Sequence, residues 1–267
     1  MISIQRDAVI LEKLRQRGTV SVNELAGELG VTAMTIRRHL HKLEKTGILE
    51  KVHGGAKLVG ELPREPAFTV KKEVSGREKL MIASAALQFV RAGDTVLLDA
   101  GTTTYQLVAL IREIKGLTVV TNDLQIAIGL CSSDVRLYLV GGEIEKGLGR
   151  TGGAKALDFL SDIHVDTVFL GTSAISDDFV LGSFSLDNAD VKRAMLKCGS
   201  RKVLLADRNK FYKKTFAQVG PLSQVDVLIT DKVFNENERG YLDANNVQLI
   251  QVGEGLQSNP QPDEAYG

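Results

Sequence analysis

Apolar residues recur at two different periods along this chain, and the change of period divides it. Through the first sixty positions the period is helical. Ile4, Val9, Ile10 and Leu14 lie at helical spacing, and Arg17-Gly18 stops the run. Ser21-Val-Asn-Glu24 has the S-x-x-E form of a reciprocal helix cap, and Leu25 and Leu29 mark a short helix closed by Gly30. Thr32 is the next candidate cap, and Ile36, Leu40 and Leu43 share one face of a helix running to about Lys45. Residues 48–52 then alternate as one strand of a small hairpin, with His53-Gly-Gly55 as its turn or exit. Two short helices joined at Leu29-Gly30-Val31 and followed by a hairpin have the form of a winged helix-turn-helix.

Residues 58–75, with Gly60, Pro63 and Pro66, break both periods, and 62–68 are expected to form an exposed connection. A helix begins near Arg77, with Leu80, Ile82, Ala83, Ala86, Leu87 and Val90 on a broad apolar face, and ends at Ala92-Gly93. Short apolar runs follow at 95–98, 117–121, 136–140, 166–170, 202–206 and 225–229, with helical patterns near 105–111, 124–130, 154–160 and 189–197. Alternation of this kind predicts an α/β fold, a mainly parallel doubly wound sheet with helices on both faces. The expected organisation is a winged helix-turn-helix at 1–57, a linker at 58–74, the α/β domain at 75–252 and a disordered tail at 253–267.

The polar residues left over by these elements fall into two groups. On the second helix of the N-terminal unit, Thr32, Ala33, Thr35, Arg37, Arg38 and His41 lie off the core stripe and offer hydroxyl, methyl and guanidinium groups to base edges. Ser21, Lys51 and His53 are placed to meet the DNA backbone. In the larger domain each strand runs out into a polar cluster: Asp99 with Gly101, Thr102, Thr103 and Thr104; Thr121, Asn122 and Asp123; Gly141, Gly142 and Glu143; Gly171 and Thr172; Asp207 and Lys210. Five such clusters on one edge define a crevice suited to a small polyhydroxylated anion. The loop from Asp99 to Thr104 opens a helix, where free N–H groups and the helix dipole favour a phosphate. Lys192 and Lys210 are the candidate cations, and Arg150 a lid or phosphate contact.

Composition narrows the setting. With 43% hydrophobic and 25% charged residues the chain has an ordinary soluble make-up. No apolar run approaches the roughly 20 residues of a membrane span, and the start lacks the order of a signal peptide. Cys131 and Cys198 show no metal or disulfide spacing. A cytoplasmic protein with no membrane contact, no metal and no cofactor is expected. The net charge of +0 hides an asymmetry: residues 1–60 hold ten Lys/Arg against six Asp/Glu. A basic lobe is what DNA-backbone binding requires.

The motifs Val20-Ser-Val-Asn-Glu-Leu-Ala26, Leu29-Gly-Val-Thr32, Thr35-Ile-Arg-Arg38, Leu43-Glu44 and Val52-His-Gly-Gly-Ala56 together resemble the DNA-binding half of the DeoR family of bacterial sugar-metabolism regulators. Asp99-Ala-Gly-Thr-Thr103, Thr121-Asn-Asp-Leu124, Gly141-Gly-Glu143, Phe169-Leu-Gly171, Val191-Lys-Arg-Ala-Met195, Leu205-Ala-Asp207 and Lys210-Phe211 resemble its sensor half. The resemblance implies a sensor domain similar in fold to ribose-5-phosphate isomerase, a phosphorylated sugar effector, and its phosphate on Gly101 to Thr104 with Lys192 helping. Two residues depart from the family pattern: His39 stands where Asp is usual, and Asn188 where Glu is common. The expected protein is a transcriptional regulator, a repressor of a carbohydrate operon, acting as a dimer or tetramer on double-stranded operator DNA. The rival is a sugar-phosphate isomerase or deaminase-like enzyme carrying an added DNA-binding domain. Asp99, Asp123 and Asp207 could supply its carboxylates, but an amide at 188 takes no proton.

Overall fold

A computed structural model of the chain describes residues 6–7, 9–10, 13–14, 17–44, 49–58 and 65–253. Ile4, Lys45, Ile48 and the expected tail beyond Gly253 lie outside the described residues.

In the N-terminal unit, helical residues between 6 and 17 bury Ile10 and Leu14 against α1 (Val22–Leu29) and α2 (Ala33–Glu44). Leu25, Ile36, Leu40 and Leu43 complete this core, as their spacing predicted. Gly30 turns the chain between the helices at φ +61°, a left-handed conformation that suits glycine, and its N–H closes α1 on Ala26 O and Gly27 O. Thr32 Oγ1 accepts the Thr35 N–H at 3.2 Å, the expected cap of α2.

The reciprocal cap expected at Ser21 does not form: its side chain accepts no cap hydrogen bond. The reason is a strand that the sequence pattern did not reveal. β1 (Thr19–Ser21) pairs with β3 (Gly55–Leu58), which pairs in turn with β2 (Leu49–Val52). This register lets the Val22 N–H donate to Gly54 O at 2.9 Å, so the first turn of α1 is capped by the hairpin. A Cβ on Gly55 would stand 2.0 Å from Val20 O, which is why the hairpin can approach only through glycine there.

The larger domain is built on seven parallel strands in the order β15-β14-β12-β9-β4-β5-β6. Their ranges are β4 Thr95–Leu98, β5 Thr118–Thr121, β6 Arg136–Leu139, β9 Val165–Gly171, β12 Gly199–Leu205, β14 Val227–Thr230 and β15 Gln248–Gln251. Alternate side chains go to opposite faces. Leu97, Val120, Val168, Leu170, Leu204 and Leu228 pack under α7 (Ala154–Ser161), α8 (Leu186–Cys198) and α9 (Glu236–Ala244). Val96, Leu98, Phe169, Val203, Leu205 and Ile229 pack under α4 (Gly76–Ala86), α5 (Leu107–Ile111) and α6 (Leu124–Leu130). The sheet is therefore doubly wound, as the alternating pattern predicted.

Three expectations need correction. Leu80, placed on the apolar face of α4, is 46% exposed, because Ile82, Ala83 and Ala86 define a sheet-facing stripe that it falls outside. That helix also ends at Ala86, in a 3-10 turn, rather than at Ala92-Gly93. Finally, the connection at 62–68 is not open where it is described. Glu65 is tied by ion pairs, and α3 (Phe68–Glu73) starts with the Phe68 ring edge-on to Tyr105 at 5.5 Å.

Short additions cover the carboxyl end of the sheet. A hairpin joins β7 (Glu143–Glu145) to β8 (Arg150–Gly152), and β10 (Ala174–Ile175), β11 (Val180–Ser183) and β13 (Ala217–Pro221) form a small antiparallel sheet.

Candidate functional site: a cationic crevice and a helix-turn-helix face

The strand order fixes where a crevice can open. From β4 the chain moves outward through β5 and β6, then returns to lay β9 along the other side of β4. Loops that leave β4 and β9 therefore part at this switch point, the usual ligand position in such sheets. The Asp99 N–H donates to Phe169 O at 3.0 Å, and the Gly171 N–H to Asp99 Oδ2 at 2.8 Å. Lys192, on α8, joins both strand ends: its Nζ bonds Asp99 Oδ2 and donates to Gly171 O at 2.8 Å. Asp99 and Lys192 are both buried. The other carboxylate oxygen of Asp99, Oδ1, is buried without a hydrogen-bond partner among the described residues.

The loop after Asp99 is braced from behind. Thr104 Oγ1 donates to Asp99 O at 2.7 Å, and Asn122 Oδ1 accepts the Ala100 N–H at 2.9 Å. Thr121 donates to Leu98 O, and Asp123 caps α6 by accepting the Gln125 and Ile126 N–H groups. Burial pushes the Asp123 carboxyl up, against the backbone N–H groups that favour its charge. Thr121, Asn122 and Asp123 thus shape the loop rather than line the cavity. The N–H groups of Thr102 and Thr103 have no acceptor among the described residues. The helix behind them is shorter than expected, a 3-10 turn (Thr104–Gln106) and the five-residue α5. Its dipole is correspondingly slight, so attraction for an anion must come from side chains.

Those side chains surround one cavity, lined by Gly101 to Thr104, Gly171, Thr172, Arg150, Lys192 and Lys210, and by two residues the sequence did not point to, Glu65 and Lys71. Arg150 reaches it because β8 pairs its backbone with Asp123. Glu65 accepts from Arg150 Nη1 at 2.6 Å and Lys71 Nζ at 2.5 Å. Arg150 Nε donates to Glu145 at 2.7 Å, while the buried Nη2 is out of line for a hydrogen bond although Glu145 Oε2 is 2.7 Å away. Asp207 accepts the Asn209 N–H and so shapes the turn that carries Lys210. Burial pushes the Lys210 ammonium down, and among the described residues no carboxylate lies within ion-pair distance of it. Gly141, Gly142 and Glu143 stand apart. Gly142 packs on Gly152 O, and Glu143 borders a second cavity with Glu145, Asp187 and Asn188, on the other side of Arg150.

Burial alone would raise the Glu65 carboxyl, but Lys71 and Arg150 outweigh it and lower the pKa from 4.5 to about 2. A depressed acid stabilises the fold above its unfolded pKa and loses that contribution as the pH falls through the folded one. The tie, on the order of 3 kcal/mol, is therefore full above about pH 4.5 and lost toward pH 2. Urea unfolding at pH 7, 4 and 3 should show a smaller loss on acidification for Glu65→Gln than for the unchanged chain; equal losses would contradict the pairing.

On α2, Arg37, Arg38 and His41 are exposed, with Thr32 at the helix start. Met34, 70% exposed, shares this surface one turn ahead of Arg38; its spacing from Ile36 already put it off the core stripe. Ala33 is half-buried against the core, as is Thr35 beside its cap. Lys51 on β2 reaches back to Glu44 at 2.7 Å and His41 at 2.8 Å, tying hairpin to helix, and His53 is exposed at the hairpin tip. Ser21 lies at the half-buried end of β1.

Residues 6–61 match the DeoR-like helix-turn-helix domain, and residues 75–232 match the DeoR C terminal sensor domain. The chain belongs to the DeoR family. A putative aga operon transcriptional repressor of Escherichia coli O157:H7 is 30% identical over 94% of this chain and 94% of its own length. The glycerol-3-phosphate regulon repressor of Escherichia coli K12 is 32% identical over 86% of this chain and 92% of its own. A ribose-5-phosphate isomerase solved in complex with phospho-erythronic acid aligns with a TM-score of 0.39 and 16% identity, covering 51% of this chain and 54% of that one.

Both departures from the DeoR pattern have a structural place. His39 is buried, with Nδ1 2.5 Å from Asp7 Oδ1, so it fastens the first helix to α2 and lies off the exposed face that carries Arg38 and His41. Burial would raise Asp7, but Lys42 and His39 outweigh it and hold the carboxyl below its ordinary range. Asn188, on α8, donates from Nδ2 to Ser183 Oγ at 2.8 Å and borders the second cavity.

Proposed function

We propose that this DeoR-family regulator represses a carbohydrate operon in the cytoplasm, holding double-stranded operator DNA as a homo-oligomer, and that a phosphorylated sugar in the switch-point crevice controls the hold. The observation that carries the effector reading is Lys210, a half-buried cation of the cavity with no carboxylate within ion-pair distance among the described residues, next to the N–H groups of Thr102 and Thr103, which have no acceptor there. A phosphate supplies the missing anion and accepts from those donors. Gly101, Thr102, Thr103, Arg150, Gly171, Thr172 and Lys192 complete its surroundings. Asp99, Thr104, Thr121, Asn122, Asp123 and Asp207 hold these groups in place. Glu143 and Asn188 are near enough to Arg150 to meet the body of the sugar. Thr32, Arg37, Arg38 and His41, joined by Met34, enter the major groove, with Lys51 and His53 at phosphates. One winged helix makes few phosphate contacts, so tight and specific binding calls for two or more copies on repeated half-sites.

Binding without turnover fits position 188, where an amide bonded to Ser183 replaces a group that could take a proton. Among the described residues no helix is long and apolar enough to cross a membrane. The test is to select duplexes from random DNA with the full chain, then measure retention of the selected duplex across a panel of sugars and their phosphates. One phosphosugar should change retention while its parent sugar does not, with no product formed. Sequence-independent retention, or conversion of the phosphosugar, would overturn the proposal.

A further inference from the structure

Glu65 lines the candidate phosphate cavity. Its carboxylate holds two of the four cations there, Arg150 and Lys71, and its side chain is only 9% exposed. The free volume of the cavity is about 30 Å³, room for about two water molecules. A sugar phosphate is several times larger, so some lining group must give way before it enters. Most of the lining is fixed by the sheet. Lys192 is bound to Asp99 and Gly171, the loop is braced by Asn122 and Thr104, and the Arg150 backbone pairs with Asp123. Glu65 is different, because it belongs to the segment that runs on from the hairpin of the DNA-binding unit into α3. It also carries the charge that a phosphate carries. Two anions in so dry a space repel each other, so they exclude one another from the same cations.

We infer that Glu65 is an internal stand-in for the ligand's anion. The phosphate displaces it from Arg150, and the release of residues 65–73, Lys71 with them, carries the signal of binding toward the DNA-binding unit. The inference rests on reading the cavity as a phosphate site. It gives the ligand what any effector needs, a different affinity for two arrangements of one segment. The contacts to be broken are specific: the Glu65 ion pair with Arg150, the Phe68 ring against Tyr105 and its N–H on Gly147 O at 3.5 Å, the Lys72 ammonium 4.9 Å above the Tyr105 ring, and the Lys71 carbonyl that accepts from Lys79 Nζ at 2.5 Å.

The test compares the full chain with Glu65→Gln and Glu65→Asp, using inorganic phosphate as the probe against sodium chloride of equal ionic strength. Affinity is read from melting shifts, and the state of the segment from hydrogen exchange across 65–73. Glu65→Gln, freed of competition, should bind phosphate on the order of tenfold more tightly, and its segment should exchange fast even without phosphate. In the unchanged chain phosphate should speed that exchange. Glu65→Asp keeps the charge on a shorter arm and should fall between, and it carries the comparison if Glu65→Gln does not fold. If phosphate raises the melt of all three equally and the segment stays protected, Glu65 is a fixed wall and the inference fails while the phosphate site stands. If phosphate acts on none of them, the site itself is wrong and the inference falls with it.

Discussion

Lys192→Met should be the most damaging single change in the sensor domain, costing about 3–5 kcal/mol of stability. The Lys192 ammonium is the buried partner of Asp99 and also donates to Gly171 O, so its removal leaves a carboxylate uncompensated at the junction of β4 and β9. Methionine preserves the length of the side chain, so the loss is of charge and hydrogen bonds rather than of volume. For a domain of this size the melting temperature should fall by roughly 10 °C. Pairing the change with Asp99→Asn removes the stranded charge while an amide oxygen still accepts the Gly171 N–H, so the double variant should recover much of the loss. A thermal-melt double-mutant cycle measures this. Additive losses would show that the two groups are not coupled. The same geometry makes Lys192 a poor probe of ligand binding, because its variants disturb the fold first.

On the DNA side, Arg37→Ala and Arg38→Ala should each weaken a selected operator duplex by about 1–3 kcal/mol if the guanidinium reads a base, roughly 5- to 150-fold, and relax sequence preference there. If either arginine meets only phosphate, sequence preference should survive and the slope of log affinity against log salt should fall by about one unit. Both side chains are exposed on α2, off the stripe of Ile36, Leu40 and Leu43, so neither change should cost much stability. Fluorescence anisotropy on the selected duplex at several salt concentrations separates the cases. Unchanged affinity in both variants would mean that α2 is not the reading helix.

The framework of the fold was legible because it rests on periodicity. The stripe Ile36, Leu40, Leu43 and six of the seven parallel strands are strong patterns whose side chains go where period 3.6 or 2 sends them. Among the elements that escaped, β1, β7 and β8 are too short to carry a period, with three residues each, and β1 exists only because the distant hairpin strand β3 lies beside it. Ser21 shows the consequence: its local signal was a helix cap, and pairing with the hairpin overrode it.

The candidate site divides in the same way. Local signals placed Asp99, the Gly/Thr loop and Lys192 on one edge, and the structure gathers them. What local signals do not contain is which polar side chains spend their hydrogen bonds on the backbone, as Thr104, Thr121, Asn122 and Asp123 do. Glu65 and Lys71 were invisible for another reason. Proline and glycine made their surroundings look like a plain connection, and contacts far apart in sequence, among them an ion pair spanning 85 residues, Glu65 with Arg150, bring that segment to the crevice.

The most direct test of the account is a thermal-melt screen of the full chain and of Lys210→Ala against sugar phosphates and their unphosphorylated parents. A ligand at 100 times its Kd adds about 2.7 kcal/mol, hence a rise of roughly 5–10 °C in the sensor transition. The account predicts that one phosphosugar produces this rise, that its parent sugar does not, and that Lys210→Ala melts normally but loses the response. A parent sugar that works as well as its phosphate, or a response that survives Lys210→Ala undiminished, would contradict it.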